Sequence, residues 1–229
     1  MKNMPYSLNL ISSLLKRMTD FLTIFGFKYI KSNELTTFEY NFIKLNIDSK
    51  HPAFDPSQSL VFSDNQLLAT HKTGISIEII SKYPNQKLAF YSYGKVFRND
   101  EEDATHSHQF NQLDLVATGN YSVSHLKSLI SDLLEYVFEE KLKTRFRPSY
   151  FPFTQPSFEV DIFYHNRWIE ILGCGLLHPK VMKNAGFSAK KIYGIAAGIG
   201  IERLAMVKYG ISDIREFYKN DLRFLKQFR

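Results

Sequence analysis

A chain of 229 residues is long enough for one sizeable core and short for two. With 44% hydrophobic and 15% aromatic residues it is not a disordered polypeptide, and its one cysteine excludes an internal disulfide and any cysteine-built zinc site, pointing to a reducing, cytoplasmic setting. The net charge of +6, from 29 basic against 23 acidic side chains, suits a polyanionic partner and equally suits a plain soluble basic surface.

The stretch Met1 to Asp20 lacks the apolar run and cleavage site of a secretory signal, although its basic, acid-poor character leaves a targeting-peptide reading open. No run approaches the length of a membrane span. Leu8, Ile11, Leu14, Leu15, Met18, Leu22 and Phe25 recur at three- and four-residue spacing before Gly26, which predicts an amphipathic helix with a glycine cap. Phe27 to Ile30 follows as a strand, and Lys44 to Asp55, with His51-Pro52, as an irregular turn-rich segment. Lys87 to Phe97, rich in Tyr, Phe and Val, reads as a strand that delivers Arg98 to its end. The acidic run Asn99 to Asp103 is then a solvated loop, and Phe110 to Val116 the returning strand, with Gln112 and Asp114 on one face. Leu126, Leu129, Ile130, Leu133, Leu134, Val137 and Phe138 predict a helix capped by Ser122 or Ser124. Phe158–Ile162 and Trp168–Leu172 alternate as a second strand pair around a turn at His165-Asn166, and residues 194–210 run from a glycine-rich strand or turn into a helix. No internal repeat or low-complexity linker interrupts the chain, so one domain over residues 1–229 is expected.

Several residues carry candidate chemistry. Arg98 at a strand end and Arg203 near a helix start suit a phosphate clamp, because guanidinium presents a permanent charge on a planar fork of donors; alone, each is equally a salt-bridge residue. Gly198 and Gly200 permit close backbone approach to an anion before a helix N-terminus, but they form neither a dinucleotide fingerprint nor a P-loop. His71, His106 and His178 are candidate donors to a phosphate or else ordinary surface or core histidines, and no pair of histidines has zinc-site spacing. Phe151 and Phe153, on one side of an extended segment, either stack on an aromatic ligand or fill a core.

In this order, these segments resemble the alpha subunit of phenylalanine–tRNA ligase, a class II aminoacyl-tRNA synthetase. The resemblance is carried most specifically by Arg145-Phe-Arg-Pro-Ser-Tyr-Phe-Pro-Phe-Thr154, Ile171-Leu-Gly-Cys-Gly175 and the closing Asp221-Leu-Arg-Phe-Leu-Lys-Gln-Phe228. It implies an α+β class II catalytic fold, an antiparallel sheet flanked by helices. The implied reaction is activation of phenylalanine by ATP as an adenylate and transfer to tRNA(Phe), with Mg2+ accompanying ATP and a separate beta subunit as partner. By the same resemblance Arg98 holds the α-phosphate, His106 assists at the phosphates, Phe110 stacks on adenine and Arg203 completes the nucleotide clamp. Gln112 and Asp114, with His71 and Thr73, meet the amino acid's ammonium and carboxylate; Phe151 and Phe153 meet its ring, and Ala196 and Gly175 leave room for it.

The chain departs from the family at Asp114 for Glu, Thr73 for Ser, Ser76 for Gln, Asn111 for His, Ala197 for Phe beside the ring pocket, and Phe54 for Arg. Such a pocket is expected to exclude tyrosine by about 100-fold at best. Gln155 stands where bacterial members carry a metal-binding Glu, so that metal site is left unassigned. By the same resemblance the chain is expected to be the catalytic core without the family's long N-terminal helical hairpin. Two other readings follow from the departures: a paralogue that passes an activated amino acid to another acceptor, and a non-catalytic copy.

Overall fold

The computed structural model describes residues 9–51, 54, 56–188, 193–219 and 221–228; Leu8, Pro52, Ala53 and Asp55 of the segments above lie outside them. Helix α1, Leu10–Ile24, starts where the Asn9 side chain accepts the Ile11 amide at 2.9 Å, and it buries the stripe Leu10, Ile11, Leu14, Met18, Phe21 and Leu22. After strand β1, Lys28–Tyr29, come β2 (Leu35–Thr37), α2 (Phe38–Asn41), β3 (Val61–Ser63), β4 (Gln66–Leu68) and α3 (Thr73–Ser81). The long strands β5 (Leu88–Phe97) and β6 (Gln109–Gly119) precede α4 (Val123–Phe138), where Ser122 forms a capping box with His125. Then follow β7 (Lys143–Phe151), β8 (Thr154–Tyr164), β9 (Arg167–Leu177), α5 (Pro179–Asn184), β10 (Tyr193–Gly200), α6 (Ile201–Tyr209), α7 (Glu216–Lys219) and α8 (Leu222–Leu225). His165 and Asn166 both take left-handed φ, 47° and 60°, in the two-residue loop joining β8 to β9.

Among the described residues seven strands form one sheet in the order β1-β5-β6-β10-β9-β8-β7, antiparallel throughout except where β1 runs parallel to β5. Strands β2, β4 and β3 form a separate small sheet. Because alternate residues face opposite ways, the register sorts the large sheet into two faces. Leu113, Leu115 and Ala117 of β6, with Ala197 and Ile199 of β10, pack against α1, α4 and α6 in one core. On the other face Phe90, Val116, Ala196 and Leu177 meet Ile75, Ile77, Ile79 and Ile80 of α3 and Val181 and Met182 of α5. Between these apolar masses the second face turns polar, at Gln112 and Asp114, and there it opens into a cavity.

Candidate active site

The floor of the cavity is set by strand register. Asp114 lies opposite Gly198 on β10, Gly198 lies opposite Gly173 on β9, and Gln112 lies opposite Gly200. Glycine is required here for close approach: a Cβ on Gly198 would stand 2.7 Å from Gln112 Nε2, and one on Gly173 would stand 2.9 Å from the Phe151 ring. The resulting cavity has a volume of about 570 Å³. Arg98, His106, Phe110, Gln112, Asp114 and Arg203 line it, as do His71, Thr73, Phe151, Phe153 and Ala196. The hairpin β5–β6 delivers five of these eleven, and α3 with the residues just before it, the end of β7 and the β7–β8 turn, β10 and α6 supply the others.

At one end stand the two arginines. Arg98 Nε donates to the Thr70 carbonyl at 3.1 Å and its guanidinium lies 5.1 Å over the Phe110 ring. The residue as a whole is exposed, but its head group lies among protein atoms: burial lowers its pKa, Asp100 pulls it back up, and the like charge of Arg203 lowers it again. The like charge of Arg203 acting on Arg98 makes this end of the cavity a positive locus fit for an anion. His106 stands in the loop between β5 and β6, where Asp103 folds the chain. Asp103 Oδ1 accepts the amides of Thr105 at 2.6 Å and His106 at 2.7 Å, while Oδ2 holds His106 Nδ1 at 2.9 Å. These bonds hold the Asp103 carboxyl well below its ordinary pKa and fix the imidazole ring. The C-terminal segment clasps this loop through Ile214 N, which donates to Ala104 O at 2.8 Å.

The other end is enclosed. Asp114 is 1% exposed; its carboxylate accepts the Ser76 hydroxyl at 2.5 Å and the Thr73 hydroxyl at 3.0 Å. Burial pushes its pKa up to about 7, opposed by those two hydroxyls and by the charge of Lys72. His71 Nδ1 accepts the Gly74 amide at 3.3 Å, which places the imidazole proton on Nε2, a buried atom without a hydrogen-bond partner among the described residues. Burial, joined by Arg98, lowers the His71 pKa to about 4, so at neutral pH the ring is an uncharged donor. Phe151 and Phe153 stack at 5.8 Å with 11° between their planes, and His71 stands 6.1 Å from Phe153. The pair stacks, and the same rings also border the cavity.

The structure departs from one expectation, at Gly175, and gives three further residues their places. Gly175 does not line the cavity: the Thr154 side chain and the Pro156 carbonyl fill the space its Cβ would take, at 2.6 and 2.5 Å, so its bareness accommodates the β7–β8 turn. Ala197 borders the cavity, yet its methyl belongs to the core on the helix α4 side of the sheet, one residue out of phase with Ala196. His178 caps α5, its Nδ1 accepting the Lys180 amide at 3.0 Å, and is absent from the cavity lining. Phe54 packs on Phe42 with ring centroids 5.0 Å apart.

Glu202 is a site residue that residue-by-residue reading passed over. It is 1% exposed, lines the cavity beside Arg203, and accepts the Asn111 amide at 2.8 Å, Asn111 Nδ2 at 2.7 Å and the Tyr218 hydroxyl at 2.5 Å. Burial raises its pKa against those bonds. The available signal was an acid in the first turn of a helix after Gly-Ile-Gly, where the dipole favours it. Among the described residues no three His, Cys, Asp or Glu side chains cluster as metal ligands; Gln155 is exposed and outside the cavity lining. No helix among them is long and apolar enough to cross a membrane.

Comparison with known proteins gives the family and the fold. The profile of the family "tRNA synthetases class II core domain (F)" matches residues 2–228. A phenylalanine–tRNA ligase alpha subunit of Mycoplasmoides gallisepticum is 45% identical over 235 residues, covering 97% of this chain and 70% of that protein. The alpha subunit of Enterococcus faecalis is 38% identical over 244 residues, with 100% and 70% covered. Among solved structures, pyrrolysyl-tRNA synthetase from Desulfitobacterium hafniense superposes with a TM-score of 0.71 at 16% identity, covering 92% of this chain and 74% of that one, a likeness of fold.

Proposed function

The chain belongs to the class II tRNA synthetase core family, in its phenylalanine–tRNA ligase alpha-subunit group, and on that premise we propose that its cavity activates phenylalanine with ATP and passes it to tRNA(Phe). The observation that carries this reading is the polarity of one continuous cavity. At one end Arg98 and Arg203 stand with the Phe110 ring; at the other a buried carboxylate stands with stacked phenylalanines.

The substrates supply the nucleophile. A carboxylate oxygen of phenylalanine forms a bond to the α-phosphorus of ATP as the bond to the pyrophosphate oxygen breaks, giving phenylalanyl-adenylate and pyrophosphate. The protein's part is orientation and charge stabilisation. Arg98 and Arg203 hold phosphate oxygens, His106 offers a donor fixed by Asp103, and the adenine stacks on Phe110 where Arg98 already lies. Asp114 receives the ammonium, which offsets the cost of its buried charge, and Gln112, Thr73 and the uncharged donor His71 meet the polar end of the amino acid. Phe151 and Phe153 flank the side-chain ring over Ala196. In the second step the terminal ribose of tRNA attacks the acyl carbon and AMP leaves.

Magnesium enters as part of the MgATP substrate. The described residues hold no cluster of ligands for a caged ion, and Mg2+ ordinarily keeps waters and substrate phosphates as ligands. The alpha-subunit name of its relatives supports a beta subunit as partner, and the single cysteine suits a reducing, cytoplasmic setting. The test is charging of tRNA(Phe) by the co-purified complex. Phenylalanylated tRNA is the expected product; adenylate formed with no charged tRNA points to a different acceptor, and absence of both contradicts the reading.

A further inference from the structure

Behind the amino-acid end of the cavity lies a lysine for which the reaction has no direct use. Lys72 is 0% exposed and is among the largest fully buried side chains of the protein. Its Nζ donates to the Asn33 carbonyl at 3.1 Å and lies over β5 at Gly94, where a Cβ would stand 3.1 Å from it. Two residues along the same strand, Ser92 shares the face of Gly94 and lies opposite Asp114 in the register. Ser92 is also fully buried, and its Oγ has no hydrogen-bond partner among the described residues. Lys72 and Ser92 therefore lie buried between α3 and the sheet, on the face of the sheet that also carries Asp114 toward the cavity. A buried ammonium is costly unless opposite charges compensate it, and those acting on Lys72 are Glu34 and Asp114.

We propose that Lys72 is a positioning residue for amino-acid recognition, a built-in counter-charge sealed behind Asp114 that sets how readily Asp114 receives the ammonium of the incoming amino acid. The inference rests on the reading of Asp114 as the partner of that ammonium. The surroundings of Asp114 are otherwise free of charge. Helix α3 offers it the hydroxyls of Thr73 and Ser76, β5 offers Ser92 and β10 offers Gly198. On the cavity side His71 is held uncharged by burial, and Arg98 acts on His71. Lys72 is the charge that draws Asp114 toward ionisation, against the burial that opposes it. Glu34, exposed at the surface, acts on Lys72 from the other side.

Two consequences follow with opposite signs. Without the charge on Lys72 more of Asp114 is protonated near neutrality, so amino-acid binding weakens there. At alkaline pH, where Asp114 is ionised in either case, the ammonium no longer shares its carboxylate with a second cation and binds more tightly.

The test measures KM for phenylalanine in ATP–pyrophosphate exchange by the complex with its beta subunit, from about pH 6 to about pH 9, for the parent, Lys72→Met and Lys72→Gln. The midpoint of the KM profile is expected to rise by about one pH unit in both variants, while KM for ATP stays within about twofold. Midpoints that stay with the parent's, or that fall, overturn the proposal. Should Lys72→Met fail to fold, Lys72→Gln decides alone by the same midpoint: an unmoved or lowered one overturns it. Exchange by the parent that does not depend on phenylalanine overturns the reading of the site, and the proposal with it.

Discussion

Asp114 shows how much of the site's chemistry is a matter of burial. Its pKa of about 7 lies above the ordinary 3.8, so the fold favours the neutral acid. The contribution to stability is complete below about pH 4 and is lost as pH rises to about 7, at up to about 1.4 kcal/mol per pH unit. Asp114→Asn is therefore expected to unfold at a higher temperature than the parent at pH 8, with the gap closing toward pH 4, and to lose phenylalanine binding. Equal melting temperatures across that range would contradict a strained buried carboxylate. At the nucleotide end Phe110→Leu is expected to raise KM for ATP by about 5- to 100-fold, the loss of one stacked base, with KM for phenylalanine little changed. That Arg98, Phe110 and Asp114 meet at one cavity was legible in the sequence, because a resemblance groups short motifs that lie apart in the chain. Lys72 and Glu202 were not, since nothing in Thr-His-Lys-Thr or Gly-Ile-Glu-Arg shows that a charge will be enclosed, and the partners of Glu202 lie 91 positions back and 16 positions on.

Among the elements, the loop between β5 and β6 and the C-terminal segment act together. Asp103 ties His106 in place from within the loop, Ile214 clasps Ala104, and Tyr218 joins Glu202 to the segment. If Asp103 works through His106, Asp103→Ala and His106→Ala should each lower kcat for exchange, and the double variant should be little worse than the poorer single one; additive losses would separate them. Tyr218→Phe removes a hydrogen bond to a buried carboxylate and is expected to cost about 1 kcal/mol in denaturant unfolding, a loss discounted because the tyrosine is 42% exposed. Helices α1 and α4 were readable from their apolar stripes. Helix α3 escaped notice because it is buried almost all round, rich in β-branched isoleucine and begun at Lys72 without a side-chain cap, so its sequence has neither helical periodicity nor a start signal. Yet α3 carries Thr73 and Ser76 to Asp114, so this element does most to shape the amino-acid end.

Over the whole molecule, one sheet divides two cores and the cavity opens on the face where its strands turn from apolar to polar. The antiparallel sheet flanked by helices was implied by resemblance and the hairpins were read from alternation, but the placing of β10 between β6 and β9 was not. That placing brings Gly198 between Asp114 and Gly173, across more than eighty residues of sequence, through pairings that no local pattern announces. It is also why the phosphate end and the amino-acid end share one cavity, the central claim of this account. The most direct measurement is rapid-quench analysis of α-labelled ATP mixed with an excess of the complex with its beta subunit and phenylalanine. Labelled phenylalanyl-adenylate is predicted with the parent and a rate lower by about 100- to 1,000-fold with Arg98→Ala, as expected for removal of one transition-state donor. ATP left intact by the parent, or an adenylate rate indifferent to Arg98, would contradict the account.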